Sequence, residues 1–258
     1  MSDTTKSSPR AHTLHPMGFA ILALWLGLGA ALLVMDQPPH VLDFAFILVG
    51  WMLSVMAHEF GHALVGYWAG DHTVKAKGYL DFDPRRYADP VTSLGIPLLA
   101  LALGGIGFPG GAVYLRTDLM RSRLWRAAAS LAGPAVTAAI LLVLALVLDV
   151  WAGFGAVATD LFPALTILAF LQAMALILNL LPIPGLDGFN AVRPFLPKAW
   201  APTIRKLERL SILLLLALVF LVPGAGAQLF RAAADLSVAL GLQPTALNYG
   251  WSAFHFWR

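Results

Sequence analysis

Five apolar runs, at roughly 17–35, 41–70, 126–149, 162–181 and 207–223, constrain this chain more than any other feature. Hydrocarbon about 30 Å thick takes about 20 helical residues to cross, and each run approaches or exceeds that length. Lipid offers no hydrogen bonds to the backbone, so runs of this kind without period-2 alternation must be helices. The predicted fold class is an all-α polytopic membrane protein of about five to six transmembrane helices. Composition excludes an ordinary soluble domain, because 59% of the 258 residues are hydrophobic and only 12% are charged. There is no cysteine, which removes disulfides, thiolate nucleophiles and Cys-based metal sites.

The net charge of +3 does not point to nucleic acid. The 17 Lys and Arg fall in short segments between apolar runs, as expected of loops that remain in the cytosol. This charge pattern also decides how to read 94–115, which is rich in Gly and interrupted by Pro97 and Pro109. A full crossing there would put Arg116, Arg121, Arg123 and Arg126 opposite Lys75, Lys77, Arg85 and Arg86. A re-entrant or surface-lying segment keeps all eight on one face. Residues 1–16 form an expected disordered cytosolic tail, and 226–242, with Arg231 and Asp235, an amphipathic segment inside a C-terminal region of 224–258. Lys6 and Arg10 before the run from Phe19 to Met35 resemble a signal sequence, but no small-x-small cleavage site follows, so an uncleaved first span is expected. "GYLDFD" alternates with period 2, and with "GGAVYL" at 110–115 it predicts short strands at the cytosolic face.

The second run contains "AHEFGH" at 57–62, two histidines and a glutamate where ionisable groups are costly. On a helix His58 and His62 lie on one face a turn apart and can ligate one metal ion, while Glu59 is turned aside and free to act on water. This is the H-E-x-x-H pattern of a zinc hydrolase, in which zinc lowers the pKa of its water to about 7. Random placement of seven His and two Glu yields about 0.001 to 0.002 such matches. The bland alternative is a pair of hydrogen-bonded core histidines with Glu59 paired to a buried cation, but no Lys or Arg lies in the apolar cores.

A catalytic zinc site usually takes three protein ligands and leaves one position open. The other glutamate, Glu208, sits among Arg205, Lys206 and Arg209, where a surface ion pair is expected, and Asp71, Asp81, Asp83, Asp89 and Asp118 fall in basic loops where aspartates are usually solvated. Asp187 stands apart, in "ILNLLPIPGLDGFN", where Pro182, Pro184, Gly185 and Gly188 turn the chain back after the fourth run. Val41 to His58 and Phe162 to Asn179 are equal steps along helices that both enter from the outer face, each about 26 Å. The histidines and the Asn179–Asp187 segment therefore reach similar depth. Asp187 is the expected third ligand; its alternative is a turn aspartate before Gly188.

"HEFGH" and "NLLPIPGLDG" together resemble the motifs of the site-2 proteases, the intramembrane zinc metalloproteases. The resemblance extends to "LAGPAVT" at 131–137 and "DPRRYADPVTSLGIP" at 83–97 and covers a catalytic core of about 41–190 within a protease domain of 17–223. It implies His58, His62 and Asp187 as ligands of one Zn2+ per chain and Glu59 as the catalytic glutamate. Asn179 matches a family asparagine that orients substrate or the oxyanion, and Gly133 and Pro134 match a Gly-Pro pair, here read as close packing and a kink. Phe189 and Thr137 depart from the family pattern, which often has glycine and asparagine there. A compact, core-only member without PDZ or CBS domain is expected.

The expected function is therefore hydrolysis of peptide bonds in membrane-spanning proteins. By that resemblance the partner is a single-span transmembrane protein, such as an anti-sigma factor or tethered transcription factor, met in the lipid bilayer. The expected location is the bacterial cytoplasmic membrane, with 76–83 or 110–115 as an edge that holds unwound substrate. The competing class is a non-hydrolytic metal-binding membrane protein, either a pseudoprotease or a divalent-cation carrier. A carrier needs polar groups along a path to the far face, whereas the outer halves of these runs are almost wholly apolar.

Overall fold

A computed structural model describes residues 16–83, 85, 113–155 and 159–257, and every regular element in it is helical. Four helices are long and apolar enough to cross a membrane: α1 (Pro16–Val34), α2 (Val41–Ala69), α4 (Arg123–Gly153) and α5 (Leu161–Leu180). A single turn, α3 (Thr73–Ala76), follows α2. The rest are α6 (Asp187–Val192), α7 (Ala201–Arg209), α8 (Ser211–Leu221), α9 (Ala225–Ala239) and α10 (Pro244–Phe254).

Local chemistry sets the ends of these helices. α2 stops at Gly70, whose φ of 117° is left-handed, and the Gly70 and Asp71 amides return to carbonyls of Tyr67 and Gly66. α4 begins at Ser122, whose hydroxyl oxygen accepts from the Trp125 amide at 3.2 Å. α5 cannot continue past Leu180 because Pro182 and Pro184 follow at once.

α5 is the core of the bundle, with 16 of its 20 residues buried against α2, α4, α9 and α10. α1 lies at the edge and turns Phe19, Leu24 and Leu26 outward, as a helix facing lipid should. α2 and α4 cross closely at Gly61, where a Cβ would meet Val136 Cγ2 at 2.8 Å and the Ala132 carbonyl oxygen at 3.0 Å. Small residues at such crossings let membrane helices approach backbone to backbone. This crossing presses the histidine face of α2 onto α4.

Two expectations need correction. The run 207–223 is not one span: the helix breaks at Leu210, and α8 alone, 11 residues or about 16 Å, is too short to cross. Ser211 packs on Gly185 near the end of α5, while Gly241 lies beside Asp149 near the far end of α4. α8 and α9 together thus make this passage, interrupted at 222–224, and 226–242 packs against α5 as part of the bundle. The short strands are absent among the described residues. Residues 77–82 are turns, in which the Gly78, Tyr79 and Asp81 amides fold back onto Lys75, Val74 and Gly78 carbonyls and are spent locally. Residues 113–116 form no strand, and the Val113 and Arg116 amides bond carboxylates rather than a neighbouring strand. The tail 1–15 and most of 94–115, up to residue 112, lie outside the described residues.

Candidate metal centre

His58 and His62 leave α2 toward α4, and the other edge of each ring is held. Nδ1–H of His62 donates to the Ala129 carbonyl at 2.7 Å, and Nδ1 of His58 pairs with Thr137 Oγ1 at 2.9 Å. A carbonyl only accepts, so in a neutral His62 ring the lone pair lies on Nε2. Anchoring of this kind is what orients metal-ligating imidazoles.

Opposite them the chain turns at the prolines after α5 and presents Asp187 as the first residue of α6. His58 Nε2 and His62 Nε2 are 3.0 Å apart, and Oδ2 of Asp187 is 3.1 Å from the first and 3.4 Å from the second. Zinc bonds of 2.0–2.1 Å at tetrahedral angles set their ligand atoms about 3.3 Å apart. The triangle therefore fits zinc in size as well as in donor type.

Gly133 forms the floor of the site. A Cβ there would lie 2.5 Å from His58 Nε2 and closer still to His62 Nε2. The Gly-Pro pair of α4 is close packing of a particular kind, since the missing side chain is the room the two imidazole Nε2 atoms occupy.

Glu59 is buried beside this group, and its Oε2 accepts the Val113 amide at 2.9 Å. His58, Glu59, Thr137 and Asn179 line a cavity of about 20 Å³, enough for one water. The structure thus brings together all five residues singled out in the sequence. It also adds Thr137, Ala129 and Val113, of which only Thr137 left a trace in the sequence, as the departure from the family's asparagine. Two expectations about acidic residues change, since Asp71 and Asp83 are buried rather than solvated. Asp71 accepts from the Thr73 amide and hydroxyl and from the Arg116 amide, and Asp83 pairs with Arg85 at 3.0 Å. Glu208 forms the expected ion pair, with Arg193 at 2.7 Å.

A carboxylate next to a zinc-sized ligand triangle, at one end of a bundle of lipid-length helices, defines a class: metallohydrolases that work within the membrane. Known proteins narrow it. Rip2 of Mycobacterium tuberculosis, named as a candidate zinc metalloprotease, is 44% identical over 180 residues, 70% of this chain and 68% of that protein. Rip2 of Mycolicibacterium smegmatis, with the same description, is 48% identical over 154 residues, 59% and 58% of the two chains. YwhC of Bacillus subtilis, also named as a candidate zinc metalloprotease, is 27% identical over 183 residues, 69% and 81% of the two chains. No family model matches, and no solved structure is similar enough to match. The chain belongs to the site-2 protease family of intramembrane zinc metalloproteases.

Proposed function

We propose that His58, His62 and Asp187 hold the zinc ion and that Glu59 is the general base for hydrolysis of a peptide bond within the membrane. The observation that carries this reading is the ligand triangle of 3.0, 3.1 and 3.4 Å, with both imidazoles anchored through Nδ1. Zinc bound there supplies a Lewis acid that polarises the scissile carbonyl and acidifies water. Glu59 takes the proton from the attacking water as the new C–O bond forms, then delivers it to the departing amine as the C–N bond breaks. The Asn179 side-chain amide donates to the oxygen that gains charge, and its burial strengthens that bond. Val113 steadies Glu59 through one carboxylate oxygen and leaves the other for the proton.

The Asp187 side chain is 17% exposed, which supports entry of water from the end where α2 and α5 finish. Lys75, Lys77, Arg116, Arg121 and Arg193 belong to segments at that same end, so the positive-inside rule makes it cytosolic in a bacterial cytoplasmic membrane. Substrates on this reading are single-span proteins, such as anti-sigma factors or tethered transcription factors. The test is zinc content and proteolysis of detergent-purified wild type, Asp187→Ala and Glu59→Gln. Wild type and Glu59→Gln should each carry one zinc, Asp187→Ala should lose it, and only wild type should cleave. Full zinc in Asp187→Ala would reject the ligand set.

A further inference from the structure

Two buried hydrogen-bond donors beside the reaction cavity have no partner among the described residues. Nε1 of Trp51 and Nε2 of Gln172 lack partners among the described residues, although Trp51 is only 3% and Gln172 1% exposed. Both line the small cavity that Glu59, His58 and Asn179 also line. Trp51 precedes His58 by two turns of α2, and Gln172 precedes Asn179 by two turns of α5, so each shares a helix face with a site residue. A donor left unpaired in the interior costs about 1–3 kcal/mol, and an apolar residue of similar shape would avoid that cost.

A second cavity, of about 520 Å³, opens between α1, α2, α4 and α5 and shares Ser54 with the small one. Leu53, Phe60, Ile140 and Leu168 give it an apolar wall. Trp25 adds another unpartnered Nε1–H to that wall. Ser54 itself is engaged, its hydroxyl donating to the Gly50 carbonyl at 2.9 Å. Adjoining at Ser54, the two cavities suit an occupant that brings apolar bulk and hydrogen-bond acceptors. An apolar peptide opened out of its helix is such an occupant, because its carbonyls lose their partners where no water replaces them.

We propose that the two cavities form one channel for the unwound segment of the substrate. In it Trp51 and Gln172 donate to one main-chain carbonyl oxygen, the part of the chain that the water-sized small cavity admits, and the larger cavity takes neighbouring apolar side chains. Seven residues of helix advance about 10 Å and an extended chain about 3.3 Å per residue, so this carbonyl lies about three residues outward of the bond that is cut. The proposal rests on the hydrolytic reading of the zinc site, which supplies the reason for a peptide to end at Glu59.

The test uses full-length protein carrying Glu59→Gln, in nanodiscs of phosphatidylethanolamine and phosphatidylglycerol. Its probe is a fluorescein-labelled 21-residue peptide of Leu and Ala with Gly-Gly at its centre. Trp51→Phe and Gln172→Met keep the apolar bulk and remove the donors. Each should weaken probe binding about tenfold while the thermal midpoint stays level or rises, since no internal bond is lost. Unchanged affinity in both variants overturns the proposal, as does a lowered midpoint in both, which would reveal internal partners. A parent protein that does not bind the probe overturns it too. So does loss of co-purified phospholipid with peptide binding intact, which would assign the space to lipid. Zinc is measured on parallel samples with Glu59 restored: a zinc-free, inactive protein whose probe binding still depends on both donors would sink the hydrolytic reading and leave the channel standing.

Discussion

Substituting Gly133 by alanine isolates the metal centre from the fold. An added Cβ would lie 2.5 Å from His58 Nε2, about 0.9 Å inside the 3.4 Å at which ordinary contact begins, and closer still to His62 Nε2. Both rings must move or tilt to admit it, yet they are tied at Nδ1 to Thr137 and Ala129. Metal sites tolerate ligand displacements of about 0.2 Å, so a shift several times larger should cost at least 100-fold in zinc affinity. Elsewhere in a helix the same change favours folding by about 1 kcal/mol. Gly153, at the end of the same helix with nothing within 4 Å of its would-be Cβ, provides the control. Metal analysis of the purified proteins, with circular dichroism on the same samples, should find Gly133→Ala helical but zinc-poor and Gly153→Ala indistinguishable from wild type. A full zinc equivalent in Gly133→Ala would refute the placement of the ligand nitrogens.

Thr137→Val removes the hydroxyl that orients His58 while keeping its shape, and zinc titration should show affinity about 10- to 100-fold weaker; unchanged affinity would make the contact incidental. Asp71→Ala strands the Thr73 amide, the Thr73 hydroxyl and the Arg116 amide, and thermal unfolding should register a loss of about 1–3 kcal/mol. Limited proteolysis of that variant should also become faster at 113–116, and resistance equal to wild type would deny Asp71 its anchoring role. Treatment with a zinc chelator should abolish proteolysis, and one equivalent of zinc should restore it, whereas activity that survives removal of the metal would overturn the proposed mechanism.

The part of the site read most easily from sequence is the part built on one helix. His58, Glu59 and His62 lie within five residues of one another, so helical periodicity alone decides which of them share a face. Asp187 was within reach because the prolines and glycines after α5 announce a turn, and equal helix steps from the outer face put that turn at the depth of the histidines. The crossings show where such reasoning stops. An apolar run reports that a segment is buried or faces lipid, and 207–223 is apolar throughout most of its length; it gives no sign of the break at Leu210, beside which Ser211 packs on Gly185 from a remote segment. Period-2 alternation in "GYLDFD" likewise signals a strand only if a neighbour takes its amides, and here local carbonyls take them first.

By itself the sequence determined the membrane, through the length of its apolar runs, and the class of chemistry, through two histidines, a glutamate and an aspartate set in recognisable motifs. Both follow from short-range rules, hydrocarbon thickness in one case and helical repeat in the other. Tertiary structure alone decided what surrounds those groups: the Ala129 carbonyl and Thr137 hydroxyl that aim the rings, the space at Gly133 that the imidazole nitrogens use, the Val113 amide on Glu59, and the donors of Trp51 and Gln172 that find no partner among the described residues. Each depends on which face of one helix meets which face of another, and that is settled only when the helices pack.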